Sequence, residues 1–320
     1  MTDNFDAGRR GDAAHETPEI LHAGPVTIPA VGLDASLLEV GPSRSLFQDA
    51  WRRFRRNKLA MFGLFLVVFL ILVAIFGPML VQSPTKYSKT VFREPPTRQH
   101  PFGVDHRGAD VLARVVHGIR LSIFIGFMAT AIETFIGIVV GAIAGWYGRW
   151  IDAITMRFVD IMLGIPYIIL AYAFITVLGR GVTAVVFTLA LTAWLQTART
   201  VRAGFIQVKE LEYVEAARAL GVSSFRIMVR HILPNVFQPV VVLMAVGVGS
   251  AILSEAALSF LGVGIQPPEP SLGLMVNDAR SFLSSAPYLL LFPGLAIVLT
   301  VLGFLLVGDG LRDALDVKDN

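Results

Sequence analysis

Long apolar runs alternate with short charged segments along this chain, and the lengths of the runs already suggest its structure. Six of them reach the roughly 20 mostly apolar residues that a helix needs to cross a hydrocarbon core of about 30 Å. They cover residues 59–81, 121–144, 161–179, 182–198, 236–256 and 288–307. Four hold no charged residue, and the other two carry Glu133 and Glu255. Runs three and four are divided by little more than Gly179, Arg180 and Gly181, which suits a tight hairpin between two spans better than one interrupted span. Six crossings return the chain to the side on which it started.

The segments between the runs set the expected orientation. Residues 1–44 are polar, contain Pro and Gly and show no periodicity, which predicts a disordered tail. No apolar leader falls within roughly the first 30 residues, where a cleavable signal belongs. Leu46, Phe47, Trp51 and Phe54 then share one face of a short helix that also carries Arg52, Arg53, Arg55 and Arg56, with Lys58 close behind. Such a helix is expected to lie on anionic membrane lipids, each basic residue contributing about 1 kcal/mol. Lys and Arg number 18 in the segments on the amino-terminal side of the membrane and 9 on the other, so both termini are expected in the cytoplasm. The 82–120 connection holds seven of those nine and runs against the bias. The predicted organisation is a cytoplasmic tail (1–44), an amphipathic helix with the first span (45–81), an extracytoplasmic loop (82–120), a transmembrane core (121–308) containing a cytoplasmic connection (199–234), and a second cytoplasmic tail (309–320).

Composition narrows the function. Of 320 residues, 54% are hydrophobic and 16% charged, against about 25% charged in soluble domains, which excludes a disordered protein and argues against a soluble enzyme. A net charge of +3 supplies no bulk field for nucleic acid. The absence of cysteine removes disulfides, thiolate metal sites and Cys nucleophiles. A phosphate loop needs Gly before its Lys, and the five lysines follow Asn, Thr, Ser, Val and Val. Asp105, His106 and Asp110 cluster outside the membrane, where turn and helix-cap roles are favoured over a metal site. No catalytic constellation and no metal site are expected.

The connection 199–234 carries the clearest pattern. Val208, Leu211, Val214 and Ala217 can share a face of one helix, which Gly221 would end in the left-handed conformation. Ser223 or Ser224 would cap a second, with Phe225, Met228, Val229, Ile232 and Leu233 on its apolar face. Two short amphipathic helices joined by a tight bend are predicted. A DNA-binding helix-turn-helix shares this pattern, but spans four and five begin within a few residues on either side and leave no room for supporting helices, so no nucleic-acid partner is expected.

Within that connection, Glu215-Ala216-Ala217, three residues, Gly221, nine residues and His231-Ile232-Leu233-Pro234 resembles the EAA loop of ABC importer permeases, with His231 where that family usually has Ile. Further segments look like the C-type permease of its peptide/nickel branch: Gly103 to Arg114, including Asp105, Gly108 and Asp110; Met156 to Asp160; Ser254 to Gly262; Gln266-Pro267-Pro268; and Gly308 to Asp313. Val104 and Ala109 depart from the Thr and Arg usual there. The resemblance runs in motif order from about Trp51 to Asp316. It implies an all-α membrane protein with six transmembrane helices in the type I importer fold, placed in a bacterial inner membrane. It also implies a heterodimer with a second homologous permease, two ABC ATPase subunits and an extracytoplasmic solute-binding protein. ATP and Mg would be held by the ATPase partners, with no cofactor on this chain. Glu215, Ala216, Ala217, Gly221, Leu233 and Pro234 would form the coupling loop. Di- and oligopeptides are the commonest cargo of the branch, and nickel and glutathione carriers share its motifs.

The spans hold the remaining candidates. Gly137, Gly141 and Gly145 make consecutive small-xxx-small steps, read as intrachain packing in preference to homodimerisation. Pro166, Pro239 and Pro293 are expected to interrupt spans three, five and six, and with Glu133 and Glu255 they are candidates for the pathway or an interface. Helix packing is the plainer role for Glu255. A secondary transporter would also explain six spans and an intramembrane Glu, but no inverted repeat is visible. A membrane-embedded enzyme would need more convergent polar residues than two glutamates.

Overall fold

The computed structural model describes residues 46–88 and 90–316, with side chains from residue 48 onward. The expected disorder of 1–44, the side chains of Leu46 and Phe47, and residues 317–320 lie outside the described residues. Asn57 separates the first two helices, α1 (Leu46–Arg56) and α2 (Lys58–Leu80). Its Oδ1 accepts from the N–H groups of Leu59 and Ala60 and so starts α2. At 1.5 Å per residue α2 spans about 35 Å, enough to cross a bilayer core.

α3 (Val111–Tyr147) is 37 residues long, about 55 Å. It begins well ahead of its apolar run because Asp110 caps it, Oδ1 accepting from Ala113 N–H at 2.9 Å. Arg114, His117 and Arg120, which hydropathy leaves in a loop, are therefore helical.

The third span is interrupted at Pro166 as expected, and it also starts well ahead of the apolar run 161–179. Two helices, α4 (Arg149–Leu163) and α5 (Tyr167–Leu178), meet there at 99°. Pro166 explains the break: it has no N–H, its ring collides with the preceding turn, and it disfavours helical geometry at Ile165. Pro239 and Pro293, by contrast, lie inside helices without ending them, so these two expected interruptions do not occur.

After α6 (Val182–Val208) and α7 (Glu212–Ala219), a second departure follows. α8 (Ser224–Arg226), a π-helical stretch (Ile227–Ile232) and α9 (Leu233–Phe260) run on as one 37-residue helix. α10 (Leu272–Ala279) and a 3₁₀ turn (Arg280–Phe282) precede α11 (Tyr288–Leu315). Outside the helices, the described residues hold two isolated bridges, Tyr87 with Ala109 and Val104 with Asp110.

Polar contacts define two ends for these helices. At one, Lys209 Nζ donates to Gly145 O (3.1 Å), Gln238 to Leu315 O, and Arg53 Nη1 to Asp316 O (3.3 Å). At the other, Tyr288 Oη donates to Val104 O (3.3 Å) and Asn277 to Phe260 O. Since α6 finishes at the first end, it starts at the second, right after α5 stops. The bent pair α4–α5 thus serves as the third of six crossings, alongside α2, α3, α6, α9 and α11. Residues 46 and 316 lie at the same end.

The Gly137, Gly141 and Gly145 stripe brings α3 onto α6 within this chain. A Cβ at Gly141 would sit 2.5 Å from Ala198 O, and one at Gly145 would sit 2.6 Å from Phe205 Cβ. α4 is tied to the lower part of α6 by ion pairs between Asp152 and Arg202 and between Asp160 and Arg199.

Candidate functional site

Gly221 ends α7 with φ +77°. Its N–H donates to Arg218 O and the Val222 N–H to Ala217 O, the paired bonds of a Schellman cap, which a left-handed glycine permits. Val214 and Ala217 bury the inner face of α7 against Phe205, Ile227, Ile232 and Val236. The predicted four-residue face is thus halved, because Val208 belongs to α6 and Leu211 is the exposed residue before α7.

The second predicted helix is corrected more deeply. Ser223 has the extended backbone of a cap, but its hydroxyl makes no capping bond. No separate helix follows, because the chain passes through the π stretch into α9. Pro234 supplies the physical reason: a proline cannot donate to the carbonyl four residues back and its ring crowds it, and a wider turn relieves both. Leu233 N–H accordingly bonds to Met228 O, five residues back. The wider turn also changes which side chains face inward: Ile227, Ile232 and Val236 are buried, while Phe225 and Val229 point outward. Asn235 Nδ2 donates to His231 O (2.7 Å) and to Tyr213 Oη (3.1 Å), lashing α7 to this turn. Arg218 lies over the Trp146 ring at 5.2 Å.

What remains outside is an apolar ridge with an acidic margin. Leu220 is 84% exposed and Phe225 76%, beside exposed Leu211, Tyr213 and Val229. Glu212, Glu215 and Ala216 are exposed on the outer side of α7, and Glu215 makes no ion pair with a described residue. Leu233 packs into the buried cluster, and Pro234 is exposed.

The Gly103 to Asp110 segment, at the opposite end, is a self-satisfied turn. Asp105 Oδ1 accepts from the N–H groups of Arg107 and Ala109, both at 2.8 Å, and its Oδ2 accepts from the buried Arg114 at 2.5 Å. Asp110 caps α3 and meets His100 Nδ1 at 2.7 Å. Gly103 and Gly108 hold φ near +82° and +85°.

Among the span candidates, Glu255 is fully buried and its carboxylate accepts from three hydroxyls: Ser122 of α3 (3.0 Å), Ser259 of α9 (2.8 Å) and Ser271 before α10 (2.9 Å). Sequence reasoning misses Ser122 and Ser271, which no spacing rule connects to Glu255. Glu133 is buried against α9, where a Cβ at Gly247 would lie 2.9 Å from its Oε1, and neighbouring Thr130 Oγ1 has no partner among the described residues. Gly164, Ile165 and Pro166, the break between α4 and α5, are all exposed. The structure does not gather these candidates at one point: the Gly221 ridge, the Gly103 turn and the break are separate features.

Two family models match the chain. The binding-protein-dependent transport system inner membrane component covers residues 137–318, and the N-terminal TM domain of oligopeptide transport permease C covers residues 45–101. The chain is 43% identical to the dipeptide transport system permease protein DppC of Alkalihalophilus pseudofirmus over 86% of its own length and 90% of that protein's. It is 42% identical to the oligopeptide transport system permease protein OppC of Bacillus subtilis, over 86% and 91% of the two lengths. It is 41% identical to the glutathione transport system permease protein GsiD of Escherichia coli, again over 86% and 91%. These relatives lend no support to a secondary transporter. With six apolar crossings and matches extending over most of its length, the chain belongs to the binding-protein-dependent transport inner membrane component family and is a multi-pass permease subunit of an ABC importer, working with partner ATPase and permease subunits.

Proposed function

We propose that this chain is the C-type permease of an importer for di- or oligopeptides or for a small solute such as glutathione, coupled to two ATPase subunits through the Gly221 ridge. The carrying observation is that ridge. Leu220 and Phe225 are nearly bare at the end of the helices, and a contiguous exposed apolar patch beside charged residues marks a contact site. The Schellman cap and the buried Val214 and Ala217 fix its shape, so it can transmit a push. Lacking a phosphate loop, the chain must receive the energy of ATP through such a contact; ATP and Mg stay on the ATPase. The cargo class rests on the relatives, which are dipeptide, oligopeptide and glutathione transport permeases.

The second permease has its own supporting feature. Gly164, Ile165 and Pro166 are exposed in the break of the third crossing, and irregular backbone within a membrane is tolerated where protein or a water-filled cavity covers it. A heterodimer partner and a water-filled path between the two permeases would cover them. In this arrangement both termini and the Gly221 ridge face the cytoplasm, and the solute-binding protein docks at the end that carries Gly103 and Asp110.

Two substitutions test the coupling. A Cβ at Gly221 would meet nothing within 4 Å, so Gly221→Val costs only backbone strain, about 1–3 kcal/mol. Glu215→Lys reverses an exposed charge without touching the fold. Both variants should reach the membrane at normal levels yet lose uptake and copurification with the ATPase. Wild-type uptake and normal copurification in both would overturn the proposal.

A further inference from the structure

Three arginines on α1 are left unused by the rest of the fold. Arg52, Arg55 and Arg56 are exposed and pair with no carboxylate among the described residues. At about 100° per residue Arg52 and Arg56 lie opposite Phe54 and Arg55 lies between them and Trp51, so the four line one arc of α1. Phe54 is buried against Ala60 and Ala314, in a notch where a Cβ on Gly310 would lie 2.2 Å from Ala60 Cβ. Trp51 stacks on Phe54 with ring centroids 5.8 Å apart, remains half exposed, and lines one shallow concavity with Arg52, Arg55 and Arg56. Lys58 opens α2, the first apolar crossing, on which Leu59, Phe62 and Phe65 are exposed. Connectivity therefore fixes the arginines within a few residues of the point where the chain enters the bilayer. An amphipathic tryptophan beside unpaired cations at that depth matches a phospholipid headgroup of negative charge.

The same helix is fastened to the base of the coupling loop. Asn57 Nδ2 donates to Asp313 Oδ2 (3.3 Å) and Arg53 reaches Asp316 O, so α1 holds the end of α11. Gln238 donates to the neighbouring Leu315 O, and Gln238 belongs to the continuous helix that begins at the Gly221 bend. We propose that α1 is a lipid-charge clasp: Trp51, Arg52, Arg55 and Arg56 bind anionic phospholipid, and this contact steadies the joined ends of α11 and α9 beneath the coupling loop. The lipid contact stands on its own, and its effect on coupling rests on the importer reading.

The test uses the whole importer complex reconstituted in phosphatidylcholine vesicles with and without phosphatidylglycerol. Subtracting the signal of Trp51→Phe isolates Trp51 fluorescence, and its quenching by brominated phosphatidylglycerol is compared with quenching by brominated phosphatidylcholine. The anionic lipid should quench more strongly, each arginine contributing about fivefold to that preference. The preference should vanish in the Arg52→Gln, Arg55→Gln, Arg56→Gln triple variant. ATPase stimulation by loaded binding protein should rise with phosphatidylglycerol in the wild type and not in the triple variant. Equal quenching by the two lipids, or a preference that survives the triple variant, overturns the lipid contact. Loss of the ATPase subunits from the triple variant in detergent would assign the arginines to a protein contact and also overturn it. An ATPase that ignores loaded binding protein in every lipid would count against the importer reading, while the quenching comparison still decides the clasp.

Discussion

Glu255 and Glu133 are carboxyls in apolar helices with opposite circumstances. Glu255 accepts from Ser122, Ser259 and Ser271 and thereby joins α3, α9 and the approach to α10. Glu255→Ala would leave three buried hydroxyl protons without their acceptor, although Ser259 and Ser271 still accept from the Ile265 and Leu274 N–H groups, so the melting temperature of the purified complex should fall clearly. Glu255→Gln, which keeps an acceptor, should fall less, and an unchanged melt for the alanine variant would show that the knot contributes nothing. Glu133 accepts no hydrogen bond from a described residue and presses against Gly247 beside Thr130. If it serves the path or an interface, Glu133→Leu should impair uptake or assembly more than Glu133→Gln, and full uptake by the leucine variant would remove that role. Only part of this is readable beforehand. Ser259 is one helical turn from Glu255 and visible, whereas Ser122 and Ser271 come together with it through tertiary packing. The turn and cap roles of Asp105 and Asp110 were legible because a carboxylate just before a helix or near a glycine has short-range donors to satisfy.

Hydropathy finds helices well and bends poorly. The run 161–179 is apolar throughout, and only Pro166 announces the break at which α4 and α5 meet at 99°. Proline alone does not decide, since Pro239 and Pro293 sit inside unbroken helices while Pro166 breaks one. In the connection 199–234 the position of the bend at Gly221 is legible from a glycine, but the π stretch is not, because it shifts the buried face to a spacing that helical periodicity does not test. The contact between α3 and α6, in contrast, is written in small residues at four-residue steps. Gly141→Leu would drive a side chain into the backbone at Ala198 and force the pair apart. Overpacking of this kind costs about 1–3 kcal/mol, so the variant should express at lower levels and unfold earlier, measured by detergent-solubilised melting. Wild-type stability would mean that the two helices separate without loss.

For the molecule as a whole, six crossings and a common end for residues 46 and 316 agree with the even count read from the apolar runs, while the side on which that end lies is a matter of charge bias. Ser224 opens the α8–α9 helix, Glu269 lies in the loop beyond its other end, and both are exposed. In the cysteine-free background, Glu269→Cys should react with an impermeant thiol reagent in intact cells and Ser224→Cys should not; the reverse pattern would invert the orientation and put the Gly221 ridge outside. The continuity of that helix has a mechanical consequence. In the proposed coupling Ser224–Phe260 acts as a lever about 55 Å long, and a tilt of about 5° at its ridge end would sweep the far end through about 5 Å. At that far end Asn277 donates to Phe260 O and the serine hydroxyls donate to Glu255, so such a stroke would reach α10 and α3 together, at the end opposite the ridge.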